Sequence, residues 1–496
     1  MVADLKHRRM RPAALLCVLA LAGCASPRAF VAQRAAPGPL SCEVPVAQRD
    51  VLVGVAMSGG GTRAALFGAA GLEGLAGIQT GTRQSVLERV SYLSSVSGGS
   101  IAASYYALKK PGRSVAMLTP EGGLSDAYRN FFADYRSAVG QDIGPKVFWR
   151  QLSRFRWLNP ALGAVSLNEI LGERLLGDAT VGDIAAREAR GDSPGLIINT
   201  TLYNNGRSFA VTGQPSASFQ YNFFQDLQMA LASQGKASPV PTVLQERWHT
   251  LLPMTPHELH MNPCGTRLSA AVSASASFPP VIGPITFQVA GDPTYWHIGD
   301  GGLYENQGIE TILFLFLKQL QVKKTKRFLI LAFDSSFPFA VGDVRLNQRA
   351  QPFGLFSFDF SRIPSIMEER ATTFRAIFFR TLQMQGVFPD ERTVQVILLR
   401  HTDAVWKPDL ADLPAACRNE NPALRTPAQV RQRLAEIPTR LQIASICDAQ
   451  LLTTAAAKVV AQNREAILAF LDNAPAPALE PTIPARPASG PVPAGR

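Results

Sequence analysis

This chain of 496 residues lacks several features that would assign a class at once. It has no internal repeat, which excludes a solenoid or a propeller. Its glycine-rich stretch, Ser58-Gly59-Gly60-Gly61-Thr62-Arg63, lacks the Gly-Lys-Ser/Thr ending of a nucleotide loop and the Gly-x-Gly-x-x-Gly spacing of a dinucleotide fingerprint. His257-Glu258-Leu259-His260 is one residue short of the spacing that lets two histidines share zinc, so surface-loop histidines are expected there. No metal or other cofactor is expected. No nucleic-acid motif accompanies the net charge of +11. The leading apolar run, residues 13–23, is too short to span hydrocarbon as a helix.

What that run does suit is an export signal. Lys6, Arg8, Arg9 and Arg11 form a basic head before it, and it ends in Leu21-Ala22-Gly23-Cys24, which resembles a bacterial lipoprotein cleavage box. Cys24 is then the lipidated first residue of the mature chain, and Ala25, where sorting patterns place Asp for inner-membrane retention, points to the outer membrane. Loss of residues 1–23 lowers the formal charge from +11 to +8. A basic envelope protein fits anionic lipid head groups at least as well as nucleic acid. A tether is expected over residues 24–48, a single hydrolase domain over 49–473, and a Pro/Ala-rich tail without ordered structure over 474–496.

Four cysteines remain for an oxidising compartment, Cys42, Cys264, Cys417 and Cys447, and they allow three pairings. Cys417 with Cys447 brackets one short segment, which favours that pair and leaves Cys42 with Cys264. Sequence does not decide between the pairings, nor between disulfides and free thiols.

Across the body, short branched apolar runs alternate with longer amphipathic stretches, the pattern of an α/β fold with a mainly parallel sheet covered by helices. Strands are predicted at 51–57, 90–96, 195–203, 295–299, 327–333 and 394–399, with helices after Gly61, after Ser97 and over 453–471. Ligands bind beyond the carboxyl ends of such strands.

Three of these strands end in motifs. The first runs into the glycine loop, whose amides and following helix start can hold an anion. The second is followed by Ser97-Gly98-Gly99-Ser100 and a helix, a strand, sharp turn and helix with serine at the bend, as in a nucleophile elbow. Ser95 and Ser100 are also near the bend, but only Ser97 has small residues on the correct sides. The fourth ends in Asp300-Gly301-Gly302, an acid held by two glycines that can reach a neighbouring strand end.

In this order and context the three motifs resemble the patatin-like phospholipases, over about residues 51–308. The block 268–284, LSAAVSASASFPPVIGP, resembles the Ala/Ser-rich segment that precedes the aspartate in that family. Departures are Ser95 in place of glycine, Ser58 ahead of the glycines, and a long insertion between Ser97 and Asp300, helical over about 110–190. The resemblance implies a patatin-like three-layer fold and a Ser97/Asp300 dyad that cleaves fatty acyl esters of phospholipids or other lipids through an acyl-enzyme. It also implies an oxyanion hole from the amides of Gly59, Gly60 and Gly61, with Arg63 steadying the loop. Two other readings stay open: a Ser97/Asp300/His401 triad of α/β-hydrolase order, and a catalytically silent lipid-binding envelope lipoprotein.

Residues 146–157 interleave Lys146, Arg150, Arg154 and Arg156 with Phe148, Trp149, Phe155 and Trp157, and a second aromatic run covers 353–379. Both are weighed between core packing and lipid contact. The lipoprotein reading generates its own test. Cys24→Ser should abolish lipid labelling and move the protein from the membrane pellet to the soluble fraction, whereas an unlabelled wild type that stays in the pellet would reject it.

Overall fold

The computed structural model describes residues 29–472 apart from 37, 155, 157–158, 160, 237–238, 280–281, 337–361, 385–386, 388–392 and 444. The leader, Cys24, Phe155, Trp157 and the Pro/Ala-rich tail therefore lie outside the described residues. The strands are β1 (Phe30–Ala32), β2 (Val51–Met57), β3 (Tyr92–Val96), β4 (Gly195–Leu202), β5 (Arg207–Thr212), β6 (Ile285–Val289), β7 (Tyr295–Asp300), β8 (Arg327–Asp334) and β9 (Val394–Arg400). They form one sheet in the order β1-β6-β7-β4-β3-β2-β8-β9, and β5 pairs with β4.

The run from β4 through β3, β2 and β8 to β9 is parallel, while β5 and β7 pair antiparallel with β4 and β6 pairs antiparallel with β7. Alternation along a strand sends neighbouring side chains to opposite faces. On β2, Val53, Val55 and Met57 enter one core cluster while Leu52 and Ala56 enter the other. Both faces are covered, which is why β2 and β8 read as nearly continuous apolar runs. The first face carries the helices Gly61–Ala76, Gly98–Lys109, Asp126–Val139 and Ile446–Gln462. The second carries Ile309–Gln321 and, outside it, Phe223–Ser233, Thr242–Leu251 and Arg362–Met384.

All six expected strands are present. Three others, β1, β5 and β6, were not anticipated, and the sheet is mixed because β5 and β7 run antiparallel to β4 and β6 runs antiparallel to β7. Strand β5 follows β4 through a hairpin at Asn205-Gly206, with Gly206 at φ 70°, a turn signal that the sequence does carry. The helix expected over 453–471 begins earlier, where Ser445 Oγ accepts the Asp448 amide at 3.2 Å, and it divides at Asn463 into Ile446–Gln462 and Arg464–Leu471.

The expected tether requires correction. From Phe30 onward it is docked on the body: β1 pairs with β6, Arg34 bridges to Met261, and the Val44 amide donates to the Gly213 carbonyl at 3.0 Å. Cys42 is bonded to Cys264, 222 residues away, and Cys417 to Cys447, 30 residues away. A crosslink closing so long a loop restricts the unfolded chain strongly. Replacing Cys42 and Cys264 together by serine should lower stability by about 2–5 kcal/mol in non-reducing denaturant titrations. An unchanged midpoint would show that the crosslink does not constrain the chain.

Candidate active site

Strand β3 delivers Ser97 at φ 52° and ψ −119°, outside the helical and extended regions, and a helix starts at the next residue. A non-glycine residue held there costs on the order of 1–3 kcal/mol. The turn is so tight that a Cβ on Gly98 would lie 1.9 Å from the Gly61 carbonyl oxygen. No side chain fits at that crossing of the serine turn and the glycine loop.

Ser97 is half-buried, while Ser95 and Ser100 are fully buried. Ser95 Oγ donates to the Ile197 carbonyl at 3.3 Å and Ser100 Oγ to Ser95 Oγ at 3.1 Å, so both hydroxyls are occupied in the core. That is how serine is accommodated where the family pattern has glycine. The Ser97 amide donates to Ser275 Oγ at 2.9 Å, and Ser275 Oγ donates to the Asn199 carbonyl at 2.7 Å. Ser275 lies in the Ala/Ser-rich block and pins the backbone of the turn.

Asp300 ends β7, opposite Thr200 on β4, and β4 lies next to β3. This brings Asp300 to Ser97. The Ser97 side chain comes close enough to the Asp300 carboxyl to favour its charged form, and Asp300 Oδ1 accepts the Gly302 amide at 2.8 Å. Asp300 is 3% exposed. Burial pushes its pKa up to about 7, although the Gly302 amide and the nearby Ser97 side chain oppose that rise.

The glycine loop lies over the serine: the Ser97 Cβ is 3.3 Å from where a Gly59 Cβ would stand. Gly60 (φ 144°) and Gly61 (φ 61°) need backbone angles that other residues rarely adopt. One expectation fails here. The Gly59 amide donates to the Asn306 carbonyl at 2.9 Å, so it is already committed and not available to an oxyanion. Among the described residues, Gly60 and Gly61 amides have no backbone acceptor. Arg63 is buried, with Nη1 donating to the Ile437 carbonyl and Nη2 to Thr439 Oγ1 at 3.0 Å, while the Thr62 amide donates to the Arg440 carbonyl at 2.8 Å. Ser58 Oγ accepts the Ser335 amide at 2.8 Å. Segments 335 and 437–440 thus brace the loop from both sides.

Sequence reasoning missed three supports. Besides Ser275, Asn306 stands between the two loops, with Oδ1 2.3 Å from a Gly59 Cβ position and 2.7 Å from a Gly302 one, and Nδ2 donating to Ser336 Oγ at 2.9 Å. The third is Arg375, whose guanidinium meets Glu305 and Glu310, each at 3.1 Å, and Gln307 at 2.6 Å. Nothing in the local sequence marks a contact 70 residues away in the chain.

His401, the residue a triad would use, lies at the end of β9, with β2 and β8 between its strand and β3. Its Nδ1 faces the Asp334 carbonyl at 3.3 Å, and burial together with the Arg63 charge lowers its pKa to about 4. Among the described residues, no histidine bonds Ser97 or Asp300. In the segment 146–157, Phe148 and Trp149 are exposed, whereas Arg150, Arg154 and Arg156 pair with Glu169 and Glu173.

Residues 55–313, more than half of the chain, match the profile of the patatin-like phospholipases. The chain belongs to that family. No curated protein matches it. Solved structures of human GIVD cytosolic phospholipase A2 are similar at low identity. The one in complex with methyl gamma-linolenyl fluorophosphonate inhibitor and terbium chloride is 15% identical, with a TM-score of 0.39 over 86% of this chain and 60% of that one. Another is 12% identical, with a TM-score of 0.41 over 85% and 60%. The chain thus spans about 60% of the length of these structures. The family match covers Ser97 and Asp300 but stops before Asp334, Arg375, His401 and the 437–440 brace.

The raised pKa of Asp300 has a consequence for stability. Below about pH 4 the carboxyl is neutral in both the folded and the unfolded chain. As pH rises toward about 7 the unfolded chain ionises first, so the folded state loses stability, by a few kcal/mol once pH exceeds the folded value. Asp300→Asn should therefore be more stable than wild type above neutrality and no more stable at about pH 4. Equal stability of the two proteins at both pH values would show that Asp300 is not held in this environment.

Proposed function

We propose that the chain is a serine acyl hydrolase for lipid esters, with Ser97 as nucleophile and Asp300 as base. The observation that carries this reading is the approach of the Ser97 side chain to the buried Asp300 carboxyl, at a turn that projects the serine. Membership in the patatin-like phospholipase family supports it. In the ionised enzyme Asp300 takes the hydroxyl proton while Ser97 Oγ bonds to the ester carbonyl carbon. The Gly60 and Gly61 amides then receive the developing oxyanion, each such donor contributing on the order of 3 kcal/mol to the transition state. As the carbon–oxygen bond to the alcohol breaks, Asp300 returns the proton to the leaving oxygen. Water enters, gives its proton to Asp300 and attacks the acyl carbon, and the proton returns to Ser97 as the fatty acid leaves.

Burial supplies what an exposed aspartate lacks. A carboxylate with a pKa near 7 is a far better base than one near 4 and is still substantially ionised at neutral pH. Lipidation at Cys24 would place this chemistry on an envelope membrane, facing its substrate. A silent lipid-binding protein would need neither the strained serine nor the buried acid.

Purified protein should hydrolyse short p-nitrophenyl esters and react with a fluorophosphonate probe. Ser97→Ala should lose both properties, with a rate drop on the order of 10⁴, and retain the wild-type melting curve. His401→Ala, if folded, should keep most activity; a loss equal to that of Asp300→Ala would favour the triad. The pH profile of kcat/KM should rise with an apparent pKa of about 7 as Asp300 ionises. A profile flat from about pH 5 to 9 would remove Asp300 from the role of base.

A further inference from the structure

The helix Leu268–Ser275 carries serines of the Ala/Ser-rich block, and all eight of its residues are buried. Alanines between the serines let the helix pack closely, so each hydroxyl must find its partner inside the protein. Ser269 and Ser273, four apart and so on one side of the helix, donate to Asn168 Oδ1 at 2.7 Å and to the Ala164 carbonyl at 2.6 Å. These two bonds fasten it to the helix Ala161–Leu171.

Ser275 serves a different end. Its only proton goes to the Asn199 carbonyl at 2.7 Å, which leaves the oxygen as acceptor for the Ser97 amide at 2.9 Å. Two residues on, the Ser277 carbonyl accepts the Asp300 amide at 3.1 Å. The Asn199 carbonyl, which takes the Ser275 proton, lies 2.5 Å from where a Gly301 Cβ would stand. One short stretch, 275–277, thus holds the backbone of both Ser97 and Asp300.

At φ 52° the conformation of Ser97 is imposed by its surroundings. Rotation about its N–Cα bond sets where the side chain points relative to the amide. An acceptor fixed to that amide holds one end of the rotation, and the tight crossing of Gly98 against the Gly61 carbonyl holds the other.

We infer that Ser275 is a positioning residue for the nucleophile: its hydroxyl holds the Ser97 amide, and the end of its helix is the common reference that sets Ser97 against Asp300. The effect on rate rests on the acyl hydrolase reading, whereas the hold on the amide does not.

The test compares Ser275→Ala, Ser275→Thr and Ser273→Ala in the full chain. Ser275→Ala should lower kcat for a p-nitrophenyl ester about 10- to 100-fold per folded molecule, with KM nearly unchanged, and slow fluorophosphonate labelling in proportion. Ser273→Ala removes a hydroxyl bond from the same buried helix without touching Ser97 or Asp300, so it should lower the melting temperature and leave kcat in place. Ser275→Thr keeps the hydroxyl and should recover most of the rate. If its added methyl group prevents folding, deuterium exchange at the Ser97 amide decides, being faster in Ser275→Ala and as in wild type in Ser273→Ala. A wild-type kcat in folded Ser275→Ala overturns the inference, as does an equal loss of kcat in both alanine variants, or exchange at Ser97 that Ser275→Ala leaves unchanged. Wild-type protein that hydrolyses no ester and takes no probe, yet shows the exchange response, would keep the positioning role and reject the acyl hydrolase reading.

Discussion

The approach of the Ser97 side chain to the buried Asp300 carboxyl sets the demands on everything around it. The carboxyl is held out of bulk water while the serine stays accessible, yet they come from strands that are not neighbours, since β4 lies between β3 and β7. The sheet meets this by turning β7 antiparallel to β4, so that its carboxyl end arrives beside the end of β3. The serine turn and the glycine loop then approach until only glycine fits at position 98. A mainly parallel sheet with an antiparallel flank follows from this geometry as much as from apolar patterning.

Rigidity of the site is distributed widely along the chain. The glycine loop is held by Asn306 on one side and by residues 437–440 on the other, and Ser58 is tied to Ser335. Arg375 compensates two carboxylates, Glu305 and Glu310, that would otherwise face each other near a buried loop. Removing one partner from so enclosed a group leaves uncompensated charge, a cost of about 3–5 kcal/mol in comparable cases. Much of this support lies beyond residue 313, where the family match ends.

The sheet was legible in the sequence where burial on both faces produced uninterrupted apolar runs, as in β2 and β8. The proposed pair, Ser97 and Asp300, stood out because each has local company, glycines that permit a strained turn and a close approach. Strands β1 and β6 were not, being short and set by pairing at the sheet edge. The committed Gly59 amide could not be read either, because its acceptor, the Asn306 carbonyl, is a backbone atom far along the chain. Ser275 and Arg375 failed for the same reason: residue type shows what a side chain can bond, whereas the fold decides what it meets.

The docking of β1 also limits the leash that lipidation at Cys24 would provide. An anchor at Cys24 would leave five residues, 25–29, before Phe30 enters the sheet. Fully extended, that is a reach of about 20 Å, less than the width of the folded body itself. A molecule anchored there would not swing over a wide radius of membrane from a long stalk. It would pivot within roughly its own diameter of the attachment point, and its encounters with substrate would depend on lipids diffusing laterally beneath it.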